Sequence, residues 1–202
     1  MVMNPVAVVQ RENARLQAEN DLLHKELKSL REFVEILNEL AERSRSVVSD
    51  AALLPLLEAT FSKALSLLNA PDGSLMLLDE ESNELVFVLV RGSLAGDLKD
   101  YRVSANEGIA GWVIKNQTAA LVRDVRRDGR FSDSIDATFK FRTQSIAAAP
   151  LIGDNKVYGL IEALNQPGDD PFSDSDLALL SLLCRFAGEI LADIERKQPS
   201  ES

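Results

Sequence analysis

The sequence predicts an α+β fold, in which one antiparallel sheet of about six strands carries helices from both ends of the domain on one face. Two observations predict it. Apolar residues recur at helical spacing near both ends of the chain, and short apolar runs between them are joined mostly by short polar turns. Strands joined by short turns pair antiparallel, and helices grouped at the two ends pack together against one face.

The first segment, from about Val6 to Arg45, has neither proline nor glycine and predicts one long helix. Its leucines recur every seven residues, and a second series follows each leucine by four positions, which is the a/d pattern of a coiled coil. Asparagine at the a positions 13 and 20 favours a parallel dimer in one register, because facing asparagines pair only in that alignment. The predicted dimerisation residues are Leu16, Asn20, Leu23, Leu27, Leu30, Val34 and Leu37. The alternative is an amphipathic helix that packs on its own domain.

The remaining elements follow in order along the chain. A second helix begins near Ser49 and ends before the turn at 69–73, and a final helix runs from Ser173 or Asp174 to about Lys197. A short helix is predicted at Gly108–Lys115. The predicted strands are Ser74–Leu78, Glu84–Arg91, Tyr101–Val103, Thr118–Val122, Ser145–Leu151 and Lys156–Asn165. We therefore divide the chain into a coiled-coil dimerisation helix (1–32), a globular domain (33–197) and a disordered tail (198–202).

The segment from Arg123 to Gln144 is polar and is predicted as a loop. It is longer than most loops of a compact domain, and such loops are often functional. Its arginines stand beside aspartates and are interpreted as a solvated surface rather than a basic patch.

Composition limits the partners. At 202 residues and 46% hydrophobic content, the chain can bury one ordinary core, while its net charge of −10 disfavours nucleic acids and anionic lipid surfaces. No apolar run is long enough to cross a bilayer, the N-terminus lacks a secretory layout, and the single cysteine, Cys184, fits a reducing compartment. We expect a soluble, cytoplasmic protein.

Catalytic machinery is not found in the sequence. The one histidine, His24, lies on the predicted coiled coil, and histidine or cysteine clusters that would bind a metal are absent. Phosphate-binding glycine motifs are also absent, and the aspartates lack the spacing of a calcium loop. The chain is predicted not to be an enzyme.

From about Phe33 to Glu195 the chain resembles a GAF domain, a sensory relative of the PAS fold. The motifs that carry the resemblance are Gly73-Ser-Leu-Met-Leu-Leu-Asp79, Gly108-Ile-Ala-Gly-Trp112, Asp124 to Phe131, Phe141-Arg-Thr-Gln-Ser-Ile146, Gly159-Leu-Ile-Glu-Ala-Leu-Asn165 and Phe172-x-x-x-Asp176. The resemblance implies a GAF/PAS-like sheet and a small-molecule pocket.

A degenerate signature resembles that of the cyclic-nucleotide-binding GAF domains of phosphodiesterases and adenylyl cyclases. The residues that match it are Asn165, Phe172 and Asp176. Gln166 replaces the lysine of the signature and Leu177 its glutamate, so the lysine-to-aspartate ion pair cannot form as such. An asparagine or glutamine side chain can instead hydrogen-bond Asp176 or loop backbone.

The resemblance also implies pocket positions, which are Ser74, Ile109, Ala110, Asp136, Thr143 and Glu162. Backbone N–H groups at the start of a helix favour a phosphate, and hydroxyls with Glu162 suit the edge of a base. Trp112 is a candidate pocket wall or stacking partner. The alternatives are polar strand residues for Ser74 and Thr143, core positions for Ile109 and Ala110, and a solvated acid for Asp136. Ser132 stands where the subfamily often has an aromatic residue, for which Phe131, Phe139 or Trp112 can substitute.

These features predict a sensor that binds a small ligand. A cyclic nucleotide is one candidate ligand, and no cofactor is certain. Binding is expected to order the Gly92–Tyr101 and Arg123–Gln144 loops and to shift helices that are continuous with a dimeric coiled coil. Because the chain ends soon after Lys197, we expect the output to reach a separate effector. The alternative is a dimerisation or scaffold module without a ligand. Bilin attachment and sulfoxide reduction would need cysteines that the sequence lacks.

Overall fold

The computed structural model describes residues 5–46, 53–167 and 171–197. Its helices are α1 (Pro5–Ser46), α2 (Leu53–Leu67), α3 (Gly108–Asn116), α4 (Ser134–Phe139) and α5 (Asp174–Lys197). Its strands are β1 (Asp72–Asp79), β2 (Glu84–Arg91), β3 (Arg102–Ser104), β4 (Ala120–Val122), β5 (Ile146–Gly153) and β6 (Lys156–Leu164). The predicted start of the second helix near Ser49 and the predicted disordered tail at 198–202 lie outside the described residues.

All six strands form one antiparallel sheet in the order β3-β2-β1-β6-β5-β4. The predicted α+β class and strand number are confirmed. The tight turn between β5 and β6 consists of Asp154 and Asn155, which both adopt positive φ angles, as a two-residue hairpin of the favoured twist requires. The innermost pair, β1 with β6, joins residues about 88 positions apart, because Ser74 lies opposite Glu162.

Strand alternation gives the sheet two different faces. On β1, Leu75 packs into the core shared with the terminal helices, whereas Met76 packs into a second core on the opposite face. The first face carries α2, α5 and the end of α1, where Phe33 and Ile36 are buried. Helices from the two ends of the domain thus cover one face together, as the sequence predicts.

Helix α5 lies very close to β5. Gly188 on α5 faces the hairpin end of β5, where a methyl group in place of its hydrogen would overlap the backbone of Ile152. Gly153 on β5 is constrained in the same way by the backbone of Gly188. A pair of glycines therefore allows the helix backbone to contact the strand backbone directly.

Helix α1 is continuous across the boundary predicted at residues 32/33. Its 42 residues extend about 63 Å at 1.5 Å per residue, so its first part projects beyond the domain. Leu16, Leu23 and Leu30 are about half exposed in the single chain, whereas Leu37 packs against the core of its own domain. Within the described ranges, no helix is long and apolar enough to cross a membrane.

The segment predicted as a loop from Arg123 to Gln144 contains secondary structure. A 3-10 turn occupies Val125–Arg127, and α4 occupies six residues from Ser134. Such a short helix has little stability of its own, so tertiary contacts described below must hold it. Local sequence therefore gave no sign of it.

Candidate ligand-binding site

A cleft opens on the face of the sheet opposite the terminal helices. The space within and in front of it amounts to about 880 Å³, a value that includes open solvent. Strands β1, β2 and β6 form its floor, the start of α3 forms one wall, and residues 131–143 form the other. The loop after β2 contributes Leu94 and Leu98. Most of the lining is apolar.

Two polar side chains lie next to each other in this floor. Ser74 on β1 and Glu162 on β6 are direct antiparallel partners, and both line the cleft. The Ser74 hydroxyl is buried and has no hydrogen-bond partner among the described residues. Glu162 likewise has no hydrogen bond or ion pair there. Buried polar groups are almost always satisfied, so the Ser74 hydroxyl is an exception, and the half-buried Glu162 carboxylate beside it is also free to bind a ligand.

Burial raises the pKa of Glu162 from 4.5 to about 7, because the charged form loses solvation without gaining a partner. Its native pKa therefore exceeds its unfolded pKa. Between about pH 4.5 and pH 7 the native state binds more protons than the unfolded state, so the stability of the domain falls as pH rises through this window. The ionised form of Glu162 therefore destabilises the native state relative to the protonated form.

The α3 wall begins with Glu107, Gly108, Ile109 and Ala110, which all line the cleft. Gly108 adopts a φ of +70°, and a Cβ there would lie 3.7 Å from that of Ser132 on the opposite wall. The first N–H groups of α3 have no intrahelical partners, as at any helix start. Glu107 occupies the N-cap position, but its side chain caps none of them.

The opposite wall is fastened by Asp136, a buried carboxylate on α4. It accepts hydrogen bonds from the Thr143 hydroxyl (2.7 Å) and backbone N–H (3.0 Å) and pairs with Arg126 at 2.9 Å. These three bonds join α4, the 3-10 turn and the approach to β5. The interpretation of Asp136 as a solvated acid is excluded.

An aromatic contact joins the loop after β2 to α4. Tyr101, at the end of the loop after β2, makes an edge contact with Phe139 on α4, at 5.3 Å between ring centroids. It also lies 6.5 Å from Phe87 on β2. Tyr101 therefore connects the Gly92–Tyr101 loop to the Arg123–Gln144 segment.

Residues 52–191 match the sequence profile of the GAF domain family over more than half of the chain. The chain belongs to the GAF domain family. The cone cGMP-specific 3',5'-cyclic phosphodiesterase subunit alpha' of Mus musculus is 30% identical over 84 residues, which is 42% of this chain. The match spans about a tenth of that subunit's length (10%).

Solved structures share the fold. A GAF domain from a phosphoenolpyruvate-protein phosphotransferase of Coxiella burnetii superposes with a TM-score of 0.69 at 16% identity, covering 83% of this chain and 96% of that one. The free methionine-R-sulfoxide reductase of Neisseria meningitidis superposes with a TM-score of 0.63 at 18% identity, covering 82% and 92%. At these identities the likeness concerns the fold alone.

The signature residues of this GAF domain lie behind the cleft. Asn165, at the end of β6, accepts from the Gln144 N–H (2.7 Å) and donates to the Arg142 carbonyl (3.0 Å). Gln166, which replaces the lysine, donates to the carbonyl of Leu68 just after α2. The side chains therefore bind backbone, which is one of the two arrangements that the sequence left open.

The other two signature residues support α5. Phe172 is fully buried among the terminal helices. Asp176 accepts from the Ser173 N–H (2.8 Å), while Ser173 Oγ accepts from the Asp176 N–H (3.1 Å), which is a capping box with aspartate in place of glutamate. Ser173 is therefore the N-cap of α5.

The structure brings six predicted pocket residues together around one cleft: Ser74, Ile109, Ala110, Asp136, Thr143 and Glu162. Trp112 does not line it. Its ring instead lies against the guanidinium of Arg130, 4.4 Å away, and Arg130 pairs with Asp128 at 2.7 Å. Of the residues proposed to replace the aromatic at Ser132, Phe131 lines the cleft, whereas Phe139 does not.

Sequence reasoning missed several lining residues, including Phe87, Leu98 and Glu107. Strict alternation along β2 would place Leu85, Phe87 and Leu89 on one face. A bulge opposite Leu75 and Met76 shifts the register, so Leu85 and Phe87 pack on the cleft side of the sheet and Leu89 packs on the other side. Among the residues that the structure describes, no group of three or more His, Cys, Asp or Glu side chains could hold a metal ion.

Proposed function

We propose that this GAF domain is a sensory module that binds a small molecule in the cleft and passes the signal through a dimeric coiled coil. The observation that carries the proposal is the Ser74–Glu162 pair, two unpartnered polar groups in the floor of an apolar cleft. A buried polar group without a hydrogen-bond partner costs stability, and a ligand that supplies the missing bond recovers it.

A cyclic nucleotide is one candidate ligand. The partial signature and the 30% match to a cone cGMP-specific phosphodiesterase support it, as do the free N–H groups at the start of α3. We propose no catalytic activity, because Ser74 and Glu162 are not hydrogen-bonded to each other and none of the described residues that line the cleft is a histidine or a cysteine. We also propose a cytoplasmic location, which the lone cysteine favours.

Hydrogen bonds provide a route from the cleft to the terminal helices. Asp136 holds Thr143, and the flanking residues 142 and 144 are held by Asn165. The next residue, Gln166, binds the end of α2. A ligand that changes the position of α4 would therefore act on a strand end that is bonded to the helix layer.

For dimerisation, four leucines at the a and d positions of α1, which we call the seam, are about half exposed in the single chain and leave an apolar stripe for a second copy: Leu16, Leu23, Leu27 and Leu30. The chain offers a matched control, because Leu22 and Leu23 are both 57% exposed but only Leu23 lies in the seam. Leu23→Lys is expected to weaken the dimer strongly in sedimentation equilibrium, whereas Leu22→Lys leaves it intact. Equal behaviour of the two variants, or a monomeric native chain at micromolar concentration, would remove the coiled coil from the proposal.

Ligand binding is tested by thermal unfolding with cyclic mono- and dinucleotides, other nucleotides, amino acids and amines. A compound that binds only the native state raises the midpoint temperature. Ala110→Phe, which places a ring in the cleft, should abolish the shift, and Ala95→Phe on the exposed loop should preserve it. If no compound shifts the midpoint, the scaffold alternative is favoured instead.

A further inference from the structure

The ionisable side chains around the cleft are mostly acidic. Four acids line it, namely Asp72, Glu107, Asp136 and Glu162, against one base, Arg91. Two of the acids are already engaged, because Asp136 pairs with Arg126 and Asp72 accepts from the Ser93 N–H. Glu107 and Glu162 have no ion-pair partner in the part of the chain that the structure describes.

We propose that the cleft selects a small organic cation, with an amine or guanidine nitrogen bound between the Glu162 carboxylate and the Ser74 hydroxyl. The inference rests on the proposed function, that the cleft binds a small molecule, and narrows it to one chemical class. It differs from the cyclic-nucleotide candidate, whose phosphate is an anion.

The geometry of the floor fits a cationic nitrogen. Directly opposed residues of an antiparallel pair have Cβ atoms about 5 Å apart, so one nitrogen can reach both side chains. An ammonium or guanidinium group has several N–H donors. It can donate one to the carboxylate and another to the lone pairs of the serine hydroxyl, which satisfies both groups at once.

The surroundings strengthen this interaction. Met76, Phe87, Val90 and Leu98 line the space beside the pair and are apolar. A charge-assisted hydrogen bond gains strength where water is excluded and the local dielectric is low. The apolar body of a ligand would bury its surface against the same side chains.

The charges around the cleft favour an anion less than a cation. The start of α3, where unpaired N–H groups could receive a phosphate, carries the exposed carboxylate of Glu107. Arg91, the one base of the lining, is hydrogen-bonded to Ser66 at 3.4 Å on the side of α2. The net charge of the chain, −10, also repels anions.

Proton release is expected on binding. Burial holds the pKa of Glu162 near 7, and a cation beside it favours the ionised form, so binding below neutral pH displaces a proton. The other titratable or charged groups of the lining are Asp72, Arg91, Glu107 and Asp136, of which Asp136 already has a cationic partner.

The test uses the full chain and matched compounds: phenethylamine, histamine and agmatine, each with a neutral and a carboxylate counterpart, together with cyclic GMP. Amines are expected to raise the thermal midpoint more than their counterparts, and isothermal titration should show tighter binding at pH 8 than at pH 6. Glu162→Gln should weaken binding at least about tenfold, as expected for loss of a bond to a charged group. Ser74→Ala should weaken it less, and Glu58→Gln on the exposed face of α2 should leave it unchanged.

The outcomes separate the two proposals. If cyclic GMP or a carboxylate shifts the midpoint, survives Glu162→Gln and is blocked by Ala110→Phe, the cleft binds a small molecule but the cation inference is wrong. If amines bind equally well to Glu162→Gln, the inference is also wrong. If no compound in either panel shifts the midpoint, both the inference and the proposed ligand binding fail.

Discussion

Thr143→Val provides a direct test of how the cleft wall is held. The Thr143 hydroxyl donates to the buried Asp136 carboxylate over 2.7 Å, and valine replaces that hydroxyl with a methyl group of nearly the same size. The substitution creates no cavity, so the measured change reports the lost hydrogen bond. Asp136 keeps its bonds to the Thr143 N–H and to Arg126.

The expected magnitude follows from burial and charge. Hydrogen bonds to charged groups contribute about 1.5–3 kcal/mol, and the bonds that Asp136 retains place this one at the lower end, about 1.5–2 kcal/mol. Asp136→Ala should cost more, about 2–4 kcal/mol, because it leaves the buried N–H and hydroxyl of Thr143 unsatisfied. The Arg126 pair adds little, since that side chain is half exposed.

Urea unfolding at fixed protein concentration, followed by far-UV circular dichroism, measures the free energy of unfolding. Thr118→Val is the matched control, because its hydroxyl bonds a backbone carbonyl on the surface, and it should change stability by less than about 0.5 kcal/mol. The double variant Asp136→Ala/Thr143→Val should show a coupling energy of about 1 kcal/mol or more between the two residues. Purely additive effects, or a Thr143→Val chain as stable as the native one, would refute the assignment of Asp136 as the anchor.

Three other perturbations test separate parts of the structure. Glu162→Gln should abolish the fall in unfolding free energy between about pH 4.5 and 7, which amounts to at most about 3 kcal/mol. In urea titrations the variant should therefore become more stable relative to the native chain as pH rises. The same pH dependence of stability in both chains would contradict the desolvation of Glu162. Gly188→Ala should lower the free energy of unfolding by about 1–3 kcal/mol, because the added methyl group overlaps Ile152. Gly96→Ala, which has open space around it, should leave the free energy of unfolding nearly unchanged. Equal urea midpoints for the two variants would argue against the close contact between α5 and β5. Asn165→Ala should release residues 142–144, seen as faster amide hydrogen exchange there, and unchanged exchange would argue against its bonds.

Short-range patterns carried much of the fold. The seven-residue repeat of leucines gives α1, and alternation along β1 separates Leu75 from Met76. The hairpin turn at Asp154 and Asn155 is likewise specified by adjacent residues that tolerate positive φ angles. The resemblance to GAF domains added the pocket positions, six of which the structure gathers around one cleft.

Other features depended on contacts between distant residues. Helix α4 exists because Asp136 is bound by Thr143 and Arg126, and its six residues have no helical periodicity to detect. Trp112, the sole tryptophan, is predicted as a pocket wall or stacking partner, but its ring packs against Arg130 and does not line the cleft. An amphipathic helix face does not by itself specify which neighbour it meets.

The sequence by itself therefore determined the six strands, four of the five helices and the absence of a histidine or cysteine cluster, because these depend on composition and on spacings of two to seven residues. Only the tertiary structure decided that Ser74 and Glu162 lie side by side without partners, and that Asp136 is a buried anchor rather than a solvated acid. Strand register and packing between distant parts of the chain decide whether a polar side chain is exposed, hydrogen-bonded or free to bind a ligand. The neighbouring residues in the sequence do not determine this.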